Sequence, residues 1–297
     1  MSLKPSLPVK KHNVRPVALA REAWGFVKAR RYLWWIGLLA GLGQGYGMNP
    51  QVISRFDERL NPASLSQRLD TATTPVTMLL LIILLFLLLV WIFSVIAEAG
   101  LIRAVQESRL VTFRATLGAG RAALWPLIKL NVFVAVVSIL LAFLVGFPIL
   151  AAAASSSGPR LLVGGIGALF MLLYGLLLAL LYPWMTRYVV LEKLRTLAAI
   201  GSAWRLFRRA ARELILIGLG GLLLQVICSI AILATIAVAF VPLAFLTAWV
   251  VKGTAALTVI GVLLIGVLCV GVILAGVLTA VKSAYYTLAF GRLHGGA

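Results

Sequence analysis

Side chains that bind metals or carry acid–base chemistry are scarce in this sequence. Its 297 residues include 8 Asp and Glu, 2 His and 2 Cys, and the two histidines, His12 and His294, lie near opposite ends. Metal catalysis needs clusters of such ligands. The sequence also lacks an H-E-x-x-H spacing, a G-x-x-x-x-G-K-[ST] phosphate loop and a G-x-S-x-G nucleophile motif. We therefore predict no catalytic, cofactor or metal site, and a protein that is not an enzyme.

Charged residues of both signs are also few. They form 12% of the chain, whereas 62% of residues are hydrophobic and the mean hydropathy is +1.08. Soluble domains carry roughly 25% charged residues, so this composition leaves too few polar groups to cover a globular surface and excludes a soluble enzyme. The charge that remains is mostly positive, at net +19, which suits nucleic acid or an anionic membrane as a partner.

Long uncharged runs predict the membrane spans. The hydrocarbon core is roughly 30 Å thick, so a spanning helix needs about 20 apolar residues. Pro183 is expected to close one such span, and Pro242 to end another near Phe240, followed by an apolar and partly re-entrant loop. The runs of this length cover residues 76–97, 130–154, 161–182, 214–240 and 253–281.

A sixth apolar run, residues 33–47, is short for a full crossing at about 1.5 Å per residue. A cleaved signal peptide is one interpretation, but the basic region before it is more than thirty residues long and no compact cleavage site follows. Gly37, Gly41 and Gly45 recur every four residues, a spacing that allows close backbone approach between helices. We therefore expect a short span packed tightly against its neighbours, which makes six spans.

The distribution of Lys and Arg predicts the orientation. If both termini lie in the cytoplasm, 22 of the 27 Lys and Arg fall on the cytoplasmic side and 5 on the outer side. Such a bias is what the positive-inside rule describes. We expect a multi-pass protein of the cell (inner) membrane with both termini cytoplasmic.

Each odd-numbered span follows a segment with apolar residues at helical spacing and basic residues off that face. The alignment of Ala23, Gly120 and Ala203 relates the three segments. A helix of this type lies in the membrane interface; the alternative interpretation is a cytoplasmic loop that happens to be helical. The apolar faces are Val17, Ala20, Trp24 and Val27; Phe113, Leu117, Gly120, Leu124 and Leu127; and Leu197, Ile200, Trp204, Phe207 and Ala211.

The predicted fold is therefore all-α, a polytopic membrane protein. Six transmembrane helices form three repeats, each an amphipathic interfacial helix followed by a transmembrane hairpin, around a pseudo-threefold axis. The expected organisation is a basic cytoplasmic tail at 1–14, a membrane domain at 15–290 with repeats at about 15–103, 112–187 and 196–290, and a cytoplasmic tail at 291–297.

Two short stretches carry a family resemblance. One is AEAGLIRAV (97–105) followed by FRA (113–115), and the other is RYVVLE (187–192) leading into AWRLFRR (203–209). Together they resemble a widespread group of uncharacterised bacterial six-helix integral membrane proteins, similar to the membrane domain fused to some glycerophosphoryl diester phosphodiesterases. The resemblance implies a cell-membrane location and a six-helix bundle. It implies no activity, because that group has no settled function.

Polar residues inside spans are the candidate functional residues, since an ionisable group at the helix centre costs roughly 2.5–3.5 kcal/mol on insertion scales. Glu98 lies one turn inside the end of the second span. It could serve as a coupling carboxylate for protons or cations, or bind a polar headgroup; alternatively, it pairs with Arg103 or with an arginine of a neighbouring repeat. Asn131 and Gln225 are the other polar candidates, and interhelical hydrogen bonds are their simpler explanation.

The cytoplasmic basic residues are expected to contact anionic lipid. Polybasic segments beside spans attract such lipid at about 1 kcal/mol per charge. Nucleic acid is not expected as a partner, because these residues are spread over the starts of three hairpins. The predicted lipid contacts are Arg21, Lys28, Arg30, Arg31, Arg114, Arg121, Arg205, Arg208, Arg209 and Arg212.

These observations favour a non-enzymatic function, as a lipid-contacting scaffold or an accessory subunit of a membrane complex, and they leave open a membrane-protein partner. The alternative is a small transporter or permease with Glu98 as its coupling carboxylate, since internal repeats and Gly/Pro-interrupted spans are features of transporters. A polar cavity reached by Glu98, Asn131 and Gln225 would favour that alternative. A lipid-modifying enzyme would need a carboxylate or histidine cluster that the sequence lacks.

Overall fold

The computed structural model describes residues 15–42, 62–107, 112–154, 160–250 and 254–294. Within these ranges the protein is all-helical, as predicted. Helices follow from the long apolar runs because lipid offers no hydrogen-bond partner to an open backbone. The eight helices of the described residues are α1 (Pro16–Ala29), α2 (Tyr32–Leu42), α3 (Pro62–Gln106), α4 (Phe113–Ala122), α5 (Leu124–Ala154), α6 (Arg160–Leu191), α7 (Thr196–Val250) and α8 (Thr254–His294).

Five helices contain a segment that is long and apolar enough to cross a membrane, which identifies a multi-pass membrane protein. Each of the five long apolar runs of the sequence falls in one of them. The sixth run corresponds to α2, which has 11 residues and is too short to cross alone; residues 43–47 of that run lie outside the described residues. The candidate spans are Leu81–Gln106, Leu124–Pro148, Gly164–Leu191, Thr196–Ile227 and Cys269–His294.

Two prolines do not end helices where the sequence predicted. α6 continues through Pro183 to Leu191, and α7 continues through Pro242 to Val250, so the predicted apolar loop after Phe240 was wrong. A proline removes one backbone hydrogen bond, but stopping a helix inside lipid would expose several. The backbone of α7 departs from helical geometry instead at Ala210, with φ −130° and ψ 39°.

The central helices of the bundle are α3, α6 and α8, each of which contacts the other two. Each outer helix packs against two central ones: α2 against α8 and α3, α5 against α6 and α3, and α7 against α8 and α6. Many buried residues lie in the last turns of the three central helices. Others lie near the beginning of α5 and of α7. The protein core therefore lies at the end of the bundle where α3, α6 and α8 terminate.

The protein-facing sides of α1, α4 and the start of α7 each carry a small residue. Ala23, Gly120 and Ala203 are all buried, and a Cβ added to Gly120 would overlap the carbonyl oxygen of Ile96 on α3. The predicted apolar faces are divided, since Val27 is buried whereas Trp24 is 50% exposed. These segments thus pack on the bundle with part of each apolar face and present the rest outward.

Glycine also brings α2 and α8 into backbone contact. A Cβ on Gly37 would overlap the carbonyl oxygen of Gly276, and a Cβ on Gly41 would lie 3.1 Å from Oγ1 of Thr279. The predicted close packing is confirmed for these two glycines, while Gly45 lies outside the described residues. Ridges of ordinary side chains hold helices about 8–10 Å apart, so a closer approach requires residues of this size.

The substitution Gly276→Ala is expected to destabilise the bundle by about 1–3 kcal/mol, the usual penalty of overpacking. The new Cβ would lie 2.8 Å from the Cα of Leu38, a backbone atom that cannot move without shifting α2. Unfolding in detergent micelles measures the effect. Gly266→Ala on the same helix is the control, because no atom lies within 4 Å of its new Cβ. Equal stability of the two variants would contradict the close contact.

Candidate functional site

Three ionisable side chains from the three central helices line one cavity. Glu98 comes from α3, Arg187 from α6 and Lys282 from α8, and the cavity has a volume of about 680 Å³. Each residue lies in the last third of its helix, where the central helices are packed together. The cavity therefore has a charged region next to the protein core.

Arg187 is held in place by contacts to α6 and α8. Its side chain is only 4% exposed. Nη1 donates hydrogen bonds to the carbonyl oxygen of Pro183 at 2.7 Å and to Oγ1 of Thr186 at 3.0 Å, and Nη2 donates to the carbonyl oxygen of Ser283 at 3.1 Å. The guanidinium also lies 5.4 Å from the ring centre of Tyr286. All these acceptors are uncharged, so the contacts orient Arg187 without neutralising it.

Lys282 connects α8 to α7 in the same region. Its ammonium group donates a hydrogen bond of 2.8 Å to Oε1 of Gln225. The Glu98 carboxylate is close enough to act electrostatically on both Lys282 and Arg187. The fold therefore brings one acidic and two basic groups from distant parts of the chain into a single electrostatic cluster.

A second cavity, of about 400 Å³, lies on the other side of Glu98 and Tyr182, which line both cavities. Trp91, Ser94 and Asn131 contribute to its lining. The hydroxyl of Tyr182 donates a hydrogen bond of 2.8 Å to Oδ1 of Asn131. Tyr182 and Glu98 thus lie where the two cavities adjoin.

The wall of the larger cavity is apolar away from the three charges. Six leucines of α6 and α7 contribute to it, and Leu176, Leu219 and Leu222 are each more than half exposed. Residues that both line a cavity and reach the outer surface mark its opening. The cavity therefore opens sideways between α6 and α7, toward the region that the lipid chains would occupy.

The three polar residues singled out in the sequence meet at these cavities. Glu98 lines both, Gln225 lines the larger and Asn131 the smaller. Sequence reasoning missed Arg187 and Lys282, which it assigned to cytoplasmic charge because each follows an apolar run. One signal was available: the runs ending at 97, 182 and 281 are each followed within five residues by an ionisable residue.

Most of the predicted lipid-contact residues lie on the surface, as such contacts require. Arg30 is the exception, since it is half-buried, donates a hydrogen bond of 3.2 Å to the carbonyl oxygen of Ala104 and lies 4.3 Å from the ring centre of Phe26. Contact with lipid stays a prediction for the whole set. The exposed members are Arg21, Lys28, Arg31, Arg114, Arg121, Arg205, Arg208, Arg209 and Arg212.

Potential metal ligands remain dispersed in the part of the chain that the structure describes, where no three His, Cys, Asp or Glu come together. His294 falls in the predicted cytoplasmic tail at 291–297 but packs on the bundle: its ring stacks on Phe290 with 4.4 Å between centres, and Nε2 lies 3.1 Å from Oε1 of Glu192. Cys269 is a free, exposed thiol. His12 lies outside the described residues.

Comparison of the chain with protein-family models, curated proteins and solved structures found no match.

We predict a measurable coupling between Glu98 and Arg187 in a double-mutant cycle. With Glu98→Gln, Arg187→Gln and the double variant, unfolding in micelles should give an interaction free energy of about 1–3 kcal/mol, in the range of groups that share one network. The exposed Glu22–Arg292 ion pair is the control, and about 0.5 kcal/mol or less is expected there because water screens it. Additive effects at Glu98 and Arg187 would contradict the cluster.

Proposed function

We propose that the protein binds membrane lipid, as a scaffold or accessory subunit of a membrane complex, and has no enzymatic activity of its own. The cavity of about 680 Å³ carries this proposal. Its size lies within the roughly 300–1,000 Å³ of small-molecule sites. A leucine-lined wall, a charged region at one end and a lateral opening together match an amphiphile, whose chain is apolar and whose headgroup is polar.

The surface of the protein supports a second set of lipid contacts. The large side chains Trp24 of α1 and Trp204 at the start of α7 are exposed on segments that also carry exposed arginines. Aromatic rings prefer the headgroup level, and basic residues attract anionic lipid. We propose that these helices lie in the interface of the cytoplasmic leaflet of the inner membrane, with both termini in the cytoplasm.

The six-span repeat architecture belongs to the same proposal. Its support is that Ala23, Gly120 and Ala203, which align between the three segments, are all buried on the bundle, and that three central helices are each flanked by outer ones. In this arrangement the apolar run at 33–47 is the first span.

We also propose that the chain is related to the bacterial six-helix proteins, on the basis of the two motifs that carry the resemblance. The motif at 97–105 forms a packed end of α3, with Ala97, Ala99 and Ile102 fully buried, and the motif at 187–192 contributes the cavity residue Arg187. The motif residues therefore perform packing and cavity roles that a related protein would need to keep.

Filling the cavity should reduce lipid retention. Leu176→Trp adds bulk to the cavity wall, and a loss of about 1–3 kcal/mol of binding free energy corresponds to roughly 5- to 160-fold weaker binding. The control is Leu172→Trp, one turn away on α6, which is exposed but does not line this cavity. The measurement is the phospholipid content of protein purified from native membranes, by mass spectrometry. Equal lipid content in both variants and the parent would count against the cavity as the lipid site.

The second candidate function is a small transporter with Glu98 as coupling carboxylate, which is favoured because Glu98 lines both cavities. Proteoliposomes with a fluorescent phosphatidylglycerol and an imposed pH gradient test it, through quenching of the label that reaches the outer leaflet. A transporter would move the labelled lipid between leaflets at a rate that depends on the pH gradient, and Glu98→Gln would abolish this movement. Movement no faster than in protein-free vesicles favours the scaffold.

A further inference from the structure

We propose that Arg187 and Lys282 bind the phosphate of an anionic phospholipid whose chain occupies the larger cavity. This inference rests on the proposed lipid-binding function and adds the class of headgroup. The residues that carry it come from α6 and α8, and the ligand would enter through the opening between α6 and α7.

The charge of the cavity lining is the first argument. Among the described residues that line it, Arg187 and Lys282 are basic and Glu98 is acidic, which leaves one net positive charge. A net positive charge in a mainly apolar cavity favours an anionic ligand, because charge is costly to bury in apolar surroundings. A phosphodiester carries one negative charge and would neutralise the lining. A zwitterionic headgroup would leave the net charge unchanged.

Two polar atoms of the lining provide the second argument. In the described part of the chain, Nε of Arg187 and Oγ of Ser283 have no hydrogen-bond partner. Both residues line the cavity and are more than nine-tenths buried. Buried polar atoms nearly always have a partner, and both of these can donate a hydrogen bond. Both atoms are closed to solvent in this structure, so a phosphate oxygen would accept their hydrogen bonds after the two side chains turn toward the cavity. The planar guanidinium is well suited to phosphate.

The cavity wall distinguishes a lipid from a free anion. Leu173, Leu177 and Leu180 of α6 face Ile215 and Leu219 of α7 across the cavity lining. A free phosphate would contact only the charged end and leave this apolar surface without a partner. An acyl chain would cover the surface, and burial of apolar area stabilises the complex by about 25 cal/mol per Å².

The test uses the full chain, delipidated in detergent and titrated separately with phosphatidylglycerol, phosphatidylethanolamine and inorganic phosphate, with binding followed by native mass spectrometry. We expect the parent protein to prefer phosphatidylglycerol. Lys282→Met should weaken that binding at least about 30-fold, the effect of removing one partner of a buried charge-assisted contact. Lys282→Arg should restore much of it, because it keeps the charge.

A substitution that is expected to strengthen lipid binding distinguishes an effect of charge from an effect of misfolding. Glu98→Gln removes the negative charge of the lining and should strengthen binding of phosphatidylglycerol several-fold, a result that a damaged fold would not produce. Arg208→Gln is the surface control, since Arg208 is exposed and does not line the cavity; it should leave the binding unchanged. Leu176→Trp should weaken the binding of every lipid tested.

The outcomes are distinct. Equal binding of the two lipids, or no loss in Lys282→Met, would overturn the headgroup assignment and leave lipid binding in place. If inorganic phosphate bound as tightly as phosphatidylglycerol, the proposal that the bound phosphate belongs to a lipid would be overturned. Binding lost in Arg208→Gln but kept in Lys282→Met would move the site to the surface. No retained lipid of any class would overturn both this inference and the proposed function.

Discussion

A positive charge held between apolar helices is the constraint to which the rest of the bundle adapts. Arg187 is almost fully buried, and its guanidinium is oriented by carbonyl oxygens on α6 and α8. Hydrogen bonds from backbone carbonyls reduce the penalty of such burial but do not cancel the charge. The proximity of Glu98 from α3 and of Lys282 from α8 therefore makes the meeting point of the three central helices an electrostatic cluster.

Packing and cavity formation are two consequences of where small and large residues lie. Gly37 and Gly276 let the backbones of α2 and α8 touch, and Gly120 does the same for α4 on α3. Close contact at these points brings the ends of the central helices together. α6 and α7 also meet at a small residue, since a Cβ on Gly218 would overlap Cδ1 of Leu180, and the leucine-rich surfaces at Leu176 and Leu219 line a cavity beside this contact.

Much of the fold was predictable because membrane insertion acts on local sequence. The five long spans follow from apolar runs, and the close packing of Gly37 follows from the four-residue glycine spacing, although the spacing does not say which helix it contacts. Helix ends were less predictable. Pro183 and Pro242 were expected to end their helices, yet both helices continue through them. In water a broken helix can bond to solvent, whereas in lipid it cannot, so the usual meaning of proline is weakened.

The sequence by itself determined an all-helical, basic, multi-pass protein and identified Glu98, Asn131 and Gln225 as polar residues within spans, because hydropathy and charge are properties of each segment alone. Only the tertiary structure decided that Arg187 and Lys282 join Glu98 at one cavity. These residues are separated by 89 and 95 positions along the chain, and their proximity depends on how three helices pack. No periodicity within a single helix encodes that packing.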